Sequence, residues 1–134
     1  MNSSVEIIIL CRNRFNYFKK GFESIIKELY NNNNFFIKIS DNSTDKKIKT
    51  FINDFKLKQK KNIDYVNRGG KVTANKHYDI VLSELKYDYS IIFHDDDYMQ
   101  NGYVEKIISA INLYPECVAI GFNAILIYNN KTSK

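Results

Sequence analysis

The chain of 134 residues has no tryptophan, one proline and only two cysteines, Cys11 and Cys117. The cysteines lack paired spacing and a histidine at metal-ligand spacing, so neither a disulfide nor a zinc site is predicted. The longest apolar runs, residues 7–11 and 124–128, are far too short to span a bilayer. A signal peptide has a basic residue before its apolar run, and here no basic residue precedes the first apolar run. We therefore expect a cytoplasmic protein.

Composition and charge limit the classes of function. Apolar residues make up 44% and charged residues 26%, which is typical of a globular domain and not of a disordered or fibrous chain. The net charge of +5 favours phosphate-rich ligands or an anionic membrane surface. The stronger interpretation is that the lysines between residues 46 and 61 form the solvated face of a helix. Peripheral membrane association stays open, as does a homodimer. Nucleic-acid binding is not predicted, because the aromatic residues suit a core.

Strand and helix patterns alternate along the chain. Apolar, β-branched runs predict strands at 5–11, 35–40, 62–66 and 89–93, with a fifth strand region at 118–128. Amphipathic spacing predicts helices at 15–30, 72–85 and 102–114, and another helix whose apolar stripe is Ile48, Phe51, Ile52 and Phe55. In the helix at 72–85 we expect the inward residues to be Val72, Tyr78, Val81, Leu82 and Leu85. The alternation predicts a single α/β domain over residues 1–134, a three-layer α/β/α sandwich with a mostly parallel sheet.

An acidic triplet follows the fourth predicted strand. Ligands of open parallel sheets bind at the carboxyl ends of the strands, which here are residues 11–14, 41–45, 67–71 and 94–97. Asp95, Asp96 and Asp97 repel one another unless a cation relieves them, and Mg²⁺ and Mn²⁺ prefer carboxylate oxygens. An acidic loop that only caps the next helix is the alternative. We expect a cleft between this triplet and Asp41.

The other strand ends offer groups for a nucleotide. Asp41 can accept a hydrogen bond from a base or ribose, while the alternative is a helix cap in which Ser43 or Thr44 caps and Asp45 lies in the first turn. The Gly69–Gly70 turn permits close approach of phosphate, or is a plain turn. The guanidinium groups of Arg12 and Arg14 can stack on a base or bind phosphate, or lie on the surface.

Taken in order, these segments resemble the family 2 glycosyltransferases, inverting enzymes with the glycosyltransferase A-type fold. Residues 7–14 resemble the family's first strand and turn, and residues 39–45 resemble its second strand and Asp-Asp-Gly-Ser-Thr-Asp motif. Asn67-Arg68-Gly69 with Asn75 resembles its Asn-x-Gly motif and following helix. Residues 91–97 resemble its strand and Asp-x-Asp metal motif. Rival folds lack support, because neither G-x-G-x-x-G nor G-K-[ST] occurs.

The resemblance implies metal-dependent transfer of a sugar from a nucleotide-diphosphate sugar, by default a uridine diphosphate sugar. The implied acceptor is a hydroxyl of a saccharide or lipid-linked saccharide, in polysaccharide or glycoconjugate synthesis. It implies Mn²⁺ or Mg²⁺ as cofactor, with Asp97 and Asp95 as the metal ligands. The residues that it implies for donor binding are Cys11, Arg12, Asn13, Arg14, Asp41, Asn67, Gly69, Asn75, Asp95 and Asp96.

Three departures from the family pattern bear on the donor. Leu10, Cys11 and Arg12 replace the usual Pro, Thr and Tyr, so Arg12 is left to stack on the base. Ser40 replaces one of two aspartates, and Ala74 replaces a common arginine. The family continues with an acceptor-binding half that supplies the catalytic base, which we expect beyond residue 134, in a fold that is truncated here. A non-catalytic nucleotide-sugar-binding module, or a fragment that needs a partner, is the alternative.

Overall fold

Strands and helices alternate as expected. The structure is a computed structural model that describes residues 3–29, 32–59, 63–128 and 131–133. The elements in chain order are β1 (Val5–Cys11), α1 (Phe15–Glu28), β2 (Phe35–Asp41), α2 (Lys47–Gln59), β3 (Ile63–Asn67), α3 (Ala74–Ser83), β4 (Tyr89–His94), α4 (Tyr103–Leu113), β5 (Leu126–Tyr128) and β6 (Lys131–Ser133). None of the described helices has the length and hydropathy needed to cross a membrane.

Four parallel strands form the central sheet, in the order β3-β2-β1-β4. Val5 of β1 lies in register with Phe35 on one side and Tyr89 on the other, and every residue of β1 is buried. β2 and then β3 lie on one side of β1, and β4 pairs with β1 on the opposite side. The carboxyl ends of β1 and β4 therefore form the topological switch point at which ligands of such sheets bind.

The two faces of the sheet carry different cores. Ile7 and Ile9 of β1 pack in one apolar cluster with buried residues of α1, α2 and α4. Ile8 and Leu10 point to the other face, because side chains alternate along a strand, and they pack with Val81 of α3. The sheet thus has helices on both faces, which confirms the predicted three-layer α/β/α sandwich.

The face under α3 also contains a buried polar network. Lys38 is only 3% exposed, and its ammonium group donates a 2.8 Å hydrogen bond to Glu84. Arg68 binds the same carboxylate through both terminal nitrogens, and these bonds lower the pKa of Glu84 to about 2. Arg68 Nε also donates to Ser40, which pairs with His77 at 2.8 Å. Burial lowers the pKa of His77.

This network explains one error in the sequence interpretation. Leu82 and Leu85 were expected to face inward, but they are 51% and 40% exposed. The inward face of α3 is formed instead by His77 and Val81, one turn apart, and the hydrogen bond between Ser40 and His77 offsets the cost of burying the imidazole. A pattern based on apolar residues alone could not identify a buried, hydrogen-bonded histidine.

The fifth strand region is the second correction. Residues 118–125 are not a strand, and only Leu126–Tyr128 is extended, paired antiparallel with Lys131–Ser133 apart from the main sheet. A strand needs a neighbour to satisfy its backbone groups, and within the described ranges β4 pairs only with β1. Val118 and Leu126 are exposed in consequence.

Candidate functional site

The first carboxylate of the acidic triplet is buried. Asp95, directly after β4, is 1% exposed, and its Oδ2 accepts a 2.9 Å hydrogen bond from the backbone N–H of Arg12. Its Oδ1 forms an ion pair with Arg14, although no described residue gives that oxygen a well-aligned hydrogen bond. Asp95 therefore links the carboxyl ends of β1 and β4.

Arg14 joins two members of the triplet. Its terminal nitrogens donate to Oδ2 and Oδ1 of Asp96 at 2.6 and 3.2 Å, in addition to the ion pair with Asp95. Burial opposes ionisation of Arg14, but the two carboxylates outweigh it and raise the pKa of the guanidinium. In this conformation the guanidinium of Arg14, which was predicted to bind the donor, is paired with the carboxylates of Asp95 and Asp96. The side chain of Arg12 forms no ion pair within the described chain and is exposed.

Asp97 keeps one oxygen free. Its Oδ2 accepts a 2.7 Å hydrogen bond from the backbone of His94, and its own N–H donates to the carbonyl of His94 at 3.1 Å, which closes a tight turn. No donor in the described residues contacts its Oδ1. Gly21 of α1 lies beneath this turn, where a Cβ atom would overlap the carbonyl oxygen of Asp97. The turn rests directly on α1 because residue 21 has no side chain.

The fit of these residues to a divalent cation depends on the number of available carboxylates. The described residues contain no group of three or more His, Cys, Asp or Glu that could hold a metal. Asp95 and Asp96 are paired with Arg14, whereas Asp97 is exposed with Oδ1 available. One carboxylate suits Mg²⁺ or Mn²⁺, which proteins often hold through one or two carboxylates together with substrate phosphates and water. The geometry thus favours Asp97 over Asp95 as a metal ligand.

Asp41 is fully buried, and both of its carboxylate oxygens accept hydrogen bonds. Its Oδ1 accepts from the N–H of Ser43 at 2.9 Å, and its Oδ2 accepts from the hydroxyl of Tyr65 at 2.7 Å. Burial and this bond raise the pKa of Tyr65. In this conformation Asp41 shapes the turn after β2, and its contact with a base stays a prediction. The helix cap is also different, because Asp45, not Ser43 or Thr44, accepts from the N–H of Lys47.

Asn13 connects the turn after β1 to the turn after β2. It has a left-handed backbone with φ of 57°, which asparagine tolerates better than most residues. Its N–H donates to Ser43 Oγ at 2.8 Å, and its Oδ1 accepts from Thr44 N–H and Oγ1 at 2.8 and 3.1 Å. Cys11, which was also predicted to contact the donor, is 1% exposed and packs in the apolar cluster with α1. Burial raises the pKa of its thiol.

Asn42 connects the turn after β2 to the loop before α3. Its side chain donates to the carbonyl of Val72 and accepts from the N–H of the same residue, at 2.6 and 3.2 Å. The sequence interpretation did not assign Asn42 a role at the site, and no local signal indicates this contact, because Val72 lies 30 positions further along the chain. Asn67 Oδ1 accepts from Gly69 N–H at 2.7 Å, and Asn75 is exposed in the first turn of α3. Direct hydrogen bonds and ion pairs thus join all four predicted strand ends.

Gly70 is expected to be the more sensitive of two adjacent glycines. Gly69 and Gly70 have the same φ of 73°, but only at Gly70 would a Cβ meet another residue, with Thr44 Cγ2 2.7 Å away. Gly69→Ala should lower the free energy of unfolding by about 1 kcal/mol from backbone strain alone. Gly70→Ala should cost about 1–3 kcal/mol more, because the turns must separate. Urea unfolding measures both, and equal losses would contradict the contact.

A cleft opens on the β4 side of the acidic turn, with a volume of about 1180 Å³. Its lining includes His94, Asp96, Asp97 and residues 122–126, but not Asp41. Asp41 is buried and does not line this cleft, so the predicted cleft between the triplet and Asp41 stays a prediction. His94 Nε2 is in hydrogen-bond contact with the hydroxyl of Tyr78 beside this cleft.

Comparison with known proteins identifies the family. The family described as glycosyl transferase family 2 matches residues 6–132, nearly the whole chain. The chain belongs to glycosyl transferase family 2. No curated protein matches it by sequence. The domain has the parallel sheet, the helices on both faces and the clustered strand ends of the glycosyltransferase A-type fold.

Solved structures support the same fold. Residues 1–349 of TarS from S. aureus match with a TM-score of 0.67 and 18% identity, over 84% of this chain and 33% of that one. TarS in complex with UDP-GlcNAc matches with the same TM-score, over 84% of this chain and 32% of that one. The mannosyltransferase PcManGT from Pyrobaculum calidifontis, in complex with GDP-Man and Mn²⁺, matches with a TM-score of 0.67 and 12% identity, over 83% and 33% of the two chains. The family 2 domain thus spans about one third of each structure.

Proposed function

We propose that this chain binds a nucleotide-diphosphate sugar at the carboxyl edge of its sheet and supplies the donor half of an inverting, metal-dependent sugar transfer. The observation that carries the proposal is Asp97, which lines the large cleft and whose Oδ2 alone accepts a hydrogen bond among the described residues. The resemblance to proteins crystallised with UDP-GlcNAc and with GDP-Man and Mn²⁺ supports this class of donor. A uridine diphosphate sugar is the first donor to test.

The described residues suit the parts of such a donor. The exposed guanidinium of Arg12 and the partly exposed guanidinium of Arg14 lie at the switch point and suit a diphosphate. The exposed residues Asn67, Gly69 and Asn75 offer amide and backbone groups to the nucleoside. The sugar extends into the cleft beside Asp97. The bonds of Asn13 and Asn42 hold the turns that carry these groups in one arrangement, which reduces the ordering cost of binding.

Asp97 would hold Mn²⁺ or Mg²⁺ through Oδ1. When bound, such a cation neutralises the diphosphate and stabilises it as the leaving group. Asp97 keeps its orientation because Oδ2 is fixed by the backbone of His94. Asp95 stays buried and positions the turn, and Asp96 positions Arg14. In the described part of the cleft, the only acids are Asp96 and Asp97, so we assign no general base for the acceptor hydroxyl.

We expect Asp97→Asn to lose the metal-dependent part of donor binding. Asparagine keeps an oxygen for the N–H of His94, so the turn persists while the charge disappears. With wild-type protein, UDP-GlcNAc and Mn²⁺ at about 100 times the dissociation constant should raise the melting temperature by about 5–10 °C. Asp97→Asn should show only the small shift obtained with UDP-GlcNAc alone.

The matched control is Asp54→Asn, which removes an exposed carboxylate from α2 and should keep the full response. GDP-Man with Mn²⁺ tests the second class of donor in the same assay. A full shift in Asp97→Asn would refute the metal assignment. No shift with either donor in the wild-type chain would refute donor binding. Binding without any sugar transfer would instead support the alternative of a binding module that needs a partner for catalysis.

A further inference from the structure

The positive charge of the chain is concentrated in one segment. Residues 46–61 contain seven lysines and the single Asp54, a net charge of +6, whereas the whole chain has +5, so the rest of the chain has −1. This segment comprises α2 and the residues that flank it. The chain is thus not uniformly basic, and any electrostatic attraction to an anionic partner is centred on α2.

The lysines of α2 form an outward surface. Ile48 and Ile52 face the core and are buried, which directs the opposite side of the helix to solvent. The outward lysines whose side chains are exposed are Lys46, Lys47, Lys49 and Lys58. In the described ranges only Lys47 has an acidic partner, Asp45 at 3.9 Å. We call the outward side of residues 46–58 the lysine face.

An exposed apolar residue lies on the lysine face, in the last turn of α2. Leu57 is 80% exposed and stands between Lys56 and Lys58 in the sequence. In water this side chain buries little apolar surface. On a lipid surface the lysine stems extend along the interface, their ammonium groups reach the headgroups, and the leucine enters the acyl boundary.

We propose that the lysine face docks the protein on an anionic lipid surface. The ammonium group of lysine is a compact, mobile charge that is attracted to the diffuse negative potential of an anionic surface. Each lysine near an anionic leaflet strengthens binding about fivefold. An RNA partner fits this face less well, because residues 46–58 include no arginine, and Phe51 and Phe55 pack against α1 and do not present rings for base stacking. The proposal does not depend on donor binding.

The test is sedimentation with vesicles of phosphatidylcholine and phosphatidylserine in equal amounts, compared with phosphatidylcholine alone. We expect binding to the anionic vesicles only, and loss of binding as salt shortens the range of the attraction. The variant Lys46→Gln/Lys49→Gln/Lys58→Gln should bind on the order of 100-fold more weakly. Leu57→Gln should weaken binding severalfold and make the residual binding more sensitive to salt.

The matched control removes the same charge from the α3 side of the sheet, as Lys71→Gln/Lys76→Gln/Lys86→Gln, whose lysines are also exposed. It should keep nearly all of the vesicle affinity. An equal loss in both triple variants would overturn the proposal, since net charge and not the lysine face would then determine binding. No binding to anionic vesicles, or tighter binding to a short RNA in the same buffer, would also overturn it. Circular dichroism confirms that each variant is folded.

Discussion

Replacing Arg14 by glutamine is expected to lower the free energy of unfolding by about 3 kcal/mol, because it leaves the buried Asp95 carboxylate without its cation. Asp95 is 1% exposed, so water cannot replace the guanidinium. Arg14 itself is 45% exposed, and solvent screening on its side keeps the loss near the lower end of the range for broken buried pairs. Urea unfolding gives the free energy, and an unchanged m-value shows that the native fold is retained.

A double-mutant cycle isolates this pair. Asp95→Asn keeps an oxygen for the N–H of Arg12 and removes the buried charge, so Arg14→Gln in that background should cost less than about 1 kcal/mol. Arg12→Gln is the matched control, because only the backbone of Arg12 contacts Asp95, and its effect should stay within about 0.5 kcal/mol. A cost for Arg14→Gln that is the same in both backgrounds would show that the ion pair is not the cause.

The strands and helices could be predicted because they depend on local apolar patterns. The meeting of the strands' carboxyl ends could be predicted because parallel strands end at the same edge of a sheet. The largely apolar, β-branched run at 5–11 indicates a strand buried on both faces, and parallel strands bring their carboxyl ends to one edge. The four segments singled out in this way do meet. Family 2 membership follows from the order of these segments, and this order can be read directly from the sequence.

The roles of individual residues at that edge depend on contacts between distant parts of the chain. Arg14 and Asp95 are neighbours only because β4 pairs with β1, and nothing near either residue specifies that pairing. Asp41 was predicted to contact a base, but the hydroxyl of Tyr65, on the neighbouring strand β3, hydrogen-bonds to its carboxylate. Local sequence reveals which residues can bind a nucleotide, whereas the strand order decides which of them are already bound to each other.

Gly21→Ala is the second large effect that we expect, and its sign is opposite to the usual one. Glycine to alanine inside a helix normally stabilises a protein by about 1 kcal/mol. At position 21 the new Cβ would overlap the carbonyl oxygen of Asp97, so α1 and the acidic turn must move apart. Overpacking of this kind costs about 1–3 kcal/mol, and the helical gain offsets only part of it. We expect a net loss of up to about 2 kcal/mol in urea unfolding.

The same displacement should reach Asp97, the proposed metal ligand, because the turn that contacts Gly21 is the one that orients this side chain. The shift of melting temperature with UDP-GlcNAc and Mn²⁺ should therefore shrink in Gly21→Ala by more than its lower stability explains. Glu23→Ala, on the exposed side of α1, changes a helical residue without touching the turn and should keep the full shift. If Gly21→Ala were instead more stable than the wild type and kept the full shift, the acidic turn would not rest on α1. The position of Asp97 would then depend on its bond to His94 alone.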